Sequence, residues 1–182
     1  MPLTSLPERL PHVRDGERGR LVASVLRAAL AEQRRICLLG GEDFPGTDDC
    51  LGRDLSQLTI VVNDPDRAAA LHDRFGHMIV VETKEAQVFL LHQAQIGEGF
   101  DMIIAPDLAD QLSDIPLTAM MAAIAACLRP GGRIALIAAQ SKTAAGRSFA
   151  DIAKLMENTA GCDALSGRMC GNMLLMEMTY NA

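Results

Sequence analysis

The chain has 182 residues, of which 49% are hydrophobic, a share typical of a packed globular domain rather than a disordered segment. Its net charge of −6 and its lack of a basic stripe argue against a nucleic-acid partner. The longest apolar run, residues 117–128, is too short to span a bilayer, so no membrane partner is expected.

Neither a targeting segment nor a disulfide framework is predicted. The N-terminal residues lack the apolar stretch of a signal peptide. The five cysteines are an odd number without a C-x-x-C pair, which favours buried thiols in a reducing, cytoplasmic setting. The four histidines form no i, i+4 pair, and the acidic residues lack calcium-loop spacing, so no metal site is predicted.

Helical and strand patterns alternate along the chain. Residues 1–16, rich in proline, are predicted to form an N-terminal arm, and residues 17–182 a single domain. Apolar residues at helical spacing predict helices over 17–33, 63–75, 86–93, 117–128 and 148–159. Short apolar or β-branched runs predict buried strands over 35–41, 58–62, 77–82 and 100–105, with a turn and a fifth strand within 129–139.

The last two predicted strands differ from the others. Residues 164–170 and 173–180 flank Gly171-Asn172, a two-residue hairpin signal. The five preceding strands alternate with helices, which indicates a parallel sheet covered on both faces. The predicted fold is therefore an α/β/α sandwich whose sheet ends in an antiparallel hairpin.

Three segments resemble the class I S-adenosylmethionine-dependent methyltransferases. They are "VVNDPDRAAAL" (61–71), "FDMIIAPDL" (100–108) and "CLRPGGRIALIAA" (127–139). The resemblance implies a Rossmann-like methyltransferase fold with seven strands in the order 3-2-1-4-5-7-6, the last antiparallel. It also implies S-adenosylmethionine as cofactor, bound in the crevice at the carboxyl ends of the strands, where strand order reverses.

The glycine loop after the first strand departs from the family pattern, acid-x-Gly-x-Gly-x-Gly. Aligned on residues 38–46, the pattern places Leu38 at the acid, Gly40 at the first glycine, and Glu42 and Phe44 at the other two. Only Gly40 matches, so the cofactor motif is degenerate. Phe44 is predicted to bury its ring in the crevice and weaken cofactor binding.

A second route to the cofactor remains open within this loop. Glu42 could accept the ribose hydroxyls or the methionyl ammonium group, with Gly41 allowing the loop to adjust. The alternative is a solvated acidic loop. The four carboxylates at 42–49 argue against a nucleotide phosphate at the helix start that follows.

Candidate residues at the other strand ends come from the same resemblance. The acid that would accept the ribose hydroxyls corresponds to Val62, while the nearby Asp64 is predicted to cap a helix whose first residue is Pro65. Glu85 corresponds to a contact with the adenine amino group, or else is a surface glutamate. Asp107 is the candidate catalytic acid or base, with helix capping as the rival interpretation.

Two functions of different class remain. The first is methyl transfer to a small molecule, since "APDL" after the fourth strand lacks the "NPPY" motif of nucleic-acid base methylation. The second is a non-catalytic methyltransferase-fold protein that serves as a partner subunit or regulator, which the degenerate loop and Val62 favour. The sequence specifies no oligomeric state.

Overall fold

Seven strands form a single sheet in the computed structural model, which describes residues 11–32, 34–40, 54–106, 108–139, 149–159 and 161–181. The strands are β1 (Ile36–Leu39), β2 (Leu58–Val62), β3 (Val80–Thr83), β4 (Phe100–Pro106), β5 (Leu128–Ala139), β6 (Cys162–Cys170) and β7 (Met173–Tyr180). Their order across the sheet is β3-β2-β1-β4-β5-β7-β6.

Strand directions confirm the predicted fold class. The neighbours among β1 to β5 are parallel, whereas β7 is antiparallel to both β5 and β6. Gly171-Asn172 forms the tip of the β6–β7 hairpin, because Cys170 pairs with Met173, and Gly171 has the positive φ of 63° that such a turn requires. The antiparallel last strand therefore lies between the fifth and sixth.

Helices cover both faces of this sheet. They are α1 (Pro11–Ala31), α2 (Pro65–Phe75), α3 (Ala86–Gln95), α4 (Leu108–Gln111), α5 (Asp114–Ala126) and α6 (Phe149–Glu157). Two hydrophobic clusters result. One contains the buried residues of α3 and α5, and the other those of α1 together with Ala68 and Phe75 of α2. Among the described residues, no helix is long and apolar enough to cross a membrane.

The N-terminal helix begins earlier than the sequence indicates. Helix α1 starts at Pro11 rather than at residue 17, while residues 1–10 of the predicted arm lie outside the described residues. Its apolar spacing starts only at Leu21, so local periodicity could not predict the first turns. Further along the helix, the Glu17 Oε2 accepts a hydrogen bond from the Asn172 backbone N–H at 3.2 Å, which ties α1 to the β6–β7 hairpin.

Two strands differ from their predicted bounds. Strand β3 begins at Val80 because a 3₁₀ turn, Gly76–Met78, occupies the residues before it. Strand β5 includes the predicted turn as a bulge, since residues 129–132 stand opposite Asp101 alone. Glycine is required at Gly132, where a Cβ atom would lie 2.7 Å from the Arg129 carbonyl oxygen.

Candidate functional site

A cavity of about 260 Å³ opens at the carboxyl ends of the parallel strands β1 to β4. Strand order reverses between β1 and β4, and such switch points are where open α/β sheets bind ligands. Its volume lies just below the ~300–1,000 Å³ typical of small-molecule sites. Among the described residues it is lined by Leu39, Gly40, Val61, Val62, Asn63, Arg67, Lys84, Glu85, Ala86, Pro106, Leu108, Gln111, Leu112 and Met120.

Gly40 forms the first turn of the cavity wall. Its φ of 88° lies in the region that favours glycine, and its backbone N–H donates to the Val61 carbonyl at 2.9 Å. A Cβ atom at Gly40 would meet nothing within 4 Å. The need for glycine here therefore comes from the backbone conformation and not from close approach of a neighbour.

The end of β2 lacks the carboxylate that the family resemblance implies. Val62 is only 3% exposed and packs in the cluster that contains Leu38 and Ile60. The polar side chain at this edge is the next residue, Asn63, which is exposed and lines the cavity. Asn63 therefore places an amide, and not a carboxylate, at the end of β2.

Asp64 caps α2, as the sequence predicts. Its Oδ1 accepts a hydrogen bond from the Asp66 backbone N–H at 2.9 Å, and Pro65 occupies the first turn. Asp64 is not among the residues that line the cavity. Its predicted cofactor contact thus has no support from the cavity geometry, whereas its structural role is clear.

Glu85 lies at the cavity, at the end of β3. It occupies the N-cap position of α3, but its side chain makes no capping hydrogen bond. The residue is exposed and lines the cavity beside Ala86. Glu85 thus lies at the cavity, and its contact with a cofactor stays a prediction.

Two cations on this wall were missed from the sequence. Arg67 lies one turn into α2, and Lys84 directly follows β3. Arg67 Nε lies 3.8 Å from Asp64 Oδ2, and Lys84 Nζ lies 3.1 Å from Glu82 Oε2. The sequence offers one signal that they share an edge of the sheet. Arg67 lies close to the helix cap, and Lys84 lies close to the strand end.

Helix α4 and the residues after it contribute mostly apolar side chains to the cavity lining, with Gln111 as the polar one. Leu108, Leu112 and Met120 contribute carbon surface suited to a planar base. On the same helix, Asp110 is partly buried, and its Oδ2 accepts the Ala139 backbone N–H at 3.1 Å and lies 3.7 Å from Arg18. These contacts anchor α4 to β5 and α1, and so fix the apolar part of the lining.

Three of the predicted site residues cannot be placed. Gly41, Glu42 and Asp107 lie outside the described residues, as does Phe44, so their roles stay predictions. The cavity thus brings together two residues proposed from the sequence, Gly40 and Glu85.

The buried thiols are unsuited to nucleophilic chemistry. Burial raises the pKa of the Cys127 thiol to about 11, and burial raises the pKa of the Cys37 thiol as well. Both therefore stay protonated near neutral pH. Within the described part of the chain, no group of three or more His, Cys, Asp or Glu residues is arranged to hold a metal ion.

Comparisons with known proteins identify the architecture. No protein-family model and no curated protein matches the chain. Among solved structures, the N-methyltransferase NodS from Bradyrhizobium japonicum WM9 superposes with a TM-score of 0.62 at 18% identity, over 92% of this chain and 99% of its own. This chain has the Rossmann-like methyltransferase fold.

Two further methyltransferase structures match over nearly all of this chain. The magnesium protoporphyrin IX methyltransferase ChlM from Synechocystis PCC 6803 with bound SAM has a TM-score of 0.67 at 14% identity, covering 97% of this chain and 87% of its own. The 1,6-didemethyltoxoflavin-N1-methyltransferase from Burkholderia thailandensis, with S-adenosylhomocysteine, has a TM-score of 0.62 at 18% identity, covering 98% and 94%. At these identities the likeness concerns the methyltransferase fold.

Proposed function

We propose that this chain binds S-adenosylmethionine in the cavity at the ends of β1 to β4 and transfers its methyl group to a small molecule. The observation that carries the proposal is the position of the cavity at the switch point, with the Gly40 turn and the Glu85 carboxylate on its wall. S-adenosylmethionine or S-adenosylhomocysteine is bound in structures of the same fold.

The lining residues suit the adenosine part of this cofactor. The Glu85 carboxylate would accept a hydrogen bond from the adenine amino group, and Leu108, Leu112 and Met120 offer an apolar surface to the base. The Asn63 amide would take the place of the usual carboxylate at the ribose hydroxyls. A neutral amide is a weaker acceptor than a carboxylate, so modest affinity is expected.

For methyl transfer, the main task of this chain would be to position the two reactants. When bound, the cofactor supplies an electrophilic methyl group, whose bond to sulfur breaks as a bond to the substrate's nucleophile forms, leaving S-adenosylhomocysteine. The rigid carboxyl ends of β1 and β4 would hold the two reactants together, which is the main catalytic effect in such a site. Asp107, directly after β4, remains the proposed acid or base for the substrate's proton.

The proposed partners follow from composition and charge. A small molecule is the proposed methyl acceptor, because the net charge of −6 disfavours the phosphate backbone of a nucleic acid. The cytoplasm is the proposed compartment, since buried, protonated thiols such as Cys37 and Cys127 are typical of reducing surroundings.

Calorimetric titration with S-adenosylmethionine and S-adenosylhomocysteine tests this function. We expect micromolar to millimolar binding of both, weakened by Glu85→Gln and strengthened by Asn63→Asp, which adds the carboxylate that β2 lacks. Asp114→Asn, an exposed change at the start of α5 away from the lining residues, serves as the matched control. Absence of binding at millimolar cofactor would contradict the proposal.

A non-catalytic role is the second candidate, and the buried Val62 at the family's acid position favours it. In that case the chain would act as a partner subunit or regulator. Binding of the cofactor without turnover over a panel of small nucleophiles would support this candidate over catalysis. Turnover with any of them would remove it.

A further inference from the structure

The edge formed by β2 and β3 departs from the family resemblance in its charge. Where the resemblance implies a carboxylate for the ribose hydroxyls, this edge has the buried Val62 and the amide of Asn63. The cations Arg67 and Lys84 line the same wall. This edge therefore carries hydrogen-bond donors that suit an anion, where the resemblance implies a carboxylate that accepts from two hydroxyl groups.

The backbone geometry places these donors around one point. The Lys84 backbone N–H donates to the Val62 carbonyl at 2.9 Å, so the lysine side chain starts directly beside the end of β2. Arg67 begins from the first turn of α2, which follows β2 after Asn63 and Asp64. Asn63, the residue directly after β2, lines the same cavity as the two cations.

The ion pairs with Asp64 and Glu82 would give way to a phosphate. Arg67 pairs with Asp64, and Lys84 pairs with Glu82. The side chains in both pairs are roughly a third to a half exposed. Exposed ion pairs of this kind contribute little to stability. Phosphate oxygens form stronger, charge-assisted hydrogen bonds, and arginine can bind them in bidentate fashion. Glu85, at the N-cap of α3, is the one carboxylate among the described lining residues, so the phosphate would lie toward Arg67 and Lys84 instead.

We propose that this cavity binds a ribonucleoside phosphorylated on a ribose hydroxyl, at the 2′ or 3′ position. Arg67 and Lys84 contact the phosphate, and Asn63 contacts the remaining hydroxyl. In related dinucleotide folds, an arginine near the end of the second strand accommodates a 2′-phosphate where an acid would bind the free hydroxyl. Arg67 and Lys84 lie at the ends of β2 and β3, where the resemblance implies the ribose 2′ and 3′ hydroxyls, so the phosphate belongs on one of these two positions.

This inference shares its cavity with the proposed function but goes beyond methyl transfer. The phosphorylated nucleoside would compete with S-adenosylmethionine for the same base and ribose positions. A carboxylate at residue 63 should affect the two ligands in opposite ways, because it attracts ribose hydroxyls and repels a phosphate. One substitution, Asn63→Asp, therefore separates them.

Calorimetric titration of the whole chain with four ligands tests the inference: adenosine and its 2′-, 3′- and 5′-monophosphates. We expect the 2′- or the 3′-monophosphate to bind about tenfold more tightly than adenosine, the gain of one or two hydrogen bonds to charged groups. The 5′-monophosphate should bind no better than adenosine. The preference should weaken as salt is raised, because the cations are exposed.

Matched variants assign the preference to this wall. Arg67→Gln and Lys84→Gln should each lower the affinity for the phosphorylated nucleoside several-fold and leave that for adenosine unchanged. Asn63→Asp should lower it too, while raising the affinity for S-adenosylmethionine. Lys154→Gln, which removes an exposed cation on α6 that does not line the cavity, should change neither.

The outcomes separate this inference from the proposed function. Binding of S-adenosylmethionine without a 2′- or 3′-phosphate preference would overturn the inference and leave methyl transfer standing. A phosphate preference without binding of S-adenosylmethionine would support the inference and contradict methyl transfer. A preference that survives both Gln variants would overturn it, and a chain that binds no nucleoside would overturn both.

Discussion

Charged residues have different roles at the two ends of the parallel strands. The amino ends are called the amino edge of the sheet and the carboxyl ends its carboxyl edge. At the amino edge, the Asp101 Oδ2 accepts the Arg35 backbone N–H at 2.9 Å and lies 3.3 Å from Arg129 NH1. The Arg35 guanidinium also lies 4.9 Å from the Phe100 ring and bonds Glu98. At the carboxyl edge, Arg67, Lys84 and Glu85 line an open cavity instead.

This difference separates residues that support the fold from residues available to a ligand. Charges at the amino edge join β1, β4 and β5 to one another, so their removal should destabilise the protein. Charges at the carboxyl edge face the cavity, so their removal should alter binding while leaving the free energy of unfolding nearly unchanged. The predictions below compare the two edges.

The largest effect is expected at the amino edge, from Phe100→Ala. Phe100 is fully buried, its ring centroid lies 6.2 Å from that of Phe89, and Arg35 covers its face. The substitution should lower the free energy of unfolding by about 3–5 kcal/mol. Urea unfolding of the variant measures this, and a loss below about 1 kcal/mol would break the comparison.

The next effect is expected at the carboxyl edge and arises from the backbone. Gly40→Val should cost about 1–3 kcal/mol, because a β-branched residue is strained at a φ of 88°. Gly40→Asn should cost less, since asparagine tolerates positive φ more readily. Thermal unfolding of both variants compares them, and an unchanged melting temperature for Gly40→Val would remove the argument.

Local signals explain why the fold was predicted well. The β-branched and apolar runs, their alternation with helices, and the Gly171-Asn172 turn each depend on near neighbours in sequence. Together they predicted the parallel strands and the final hairpin, whereas the observed strand order was implied by the family resemblance. The start of α1 was missed because residues 11–16 carry no apolar residues at helical spacing.

The site was harder to predict because it depends on side-chain direction. A shift of one residue at the end of a strand turns a side chain to the other face, so Val62 is buried in the core while the side chain of Asn63 is exposed. Arg67 and Lys84 converge only through the pairing of β2 with β3. Gly40 directly follows β1 and Glu85 lies two residues after the end of β3, which is why the sequence placed them near the cavity.

A smaller loss of stability is expected when a single charge is removed at the amino edge. Asp101→Asn keeps an oxygen for the Arg35 N–H but removes the ion pair with Arg129, and should cost about 1 kcal/mol. Glu85→Gln, the matched change at the carboxyl edge, should leave stability unchanged. Urea unfolding of both variants provides the test, and equal losses would contradict the division between the edges.

The smallest effect is expected for Glu32→Gln at the amino edge. A hydrogen bond from Arg34 lowers the pKa of the Glu32 carboxyl, so its stabilisation is present above the unfolded pKa and is lost as pH falls through the folded pKa. Because the pair is exposed, the change should stay below about 1 kcal/mol and diminish with salt. Unfolding curves of the variant and the native chain at pH 7 and pH 3 provide the measurement. The variant should be slightly less stable at pH 7 and should match the native chain at pH 3.

The account's central claim is that the cavity at the carboxyl edge is the ligand site, and a crystal structure with S-adenosylhomocysteine tests it most directly. We predict the adenine beside Glu85 and Leu108, with the ribose against Asn63 and the turn at Gly40 around the ligand. Density for the ligand elsewhere on the protein, or none after soaking at millimolar concentration, would contradict the claim.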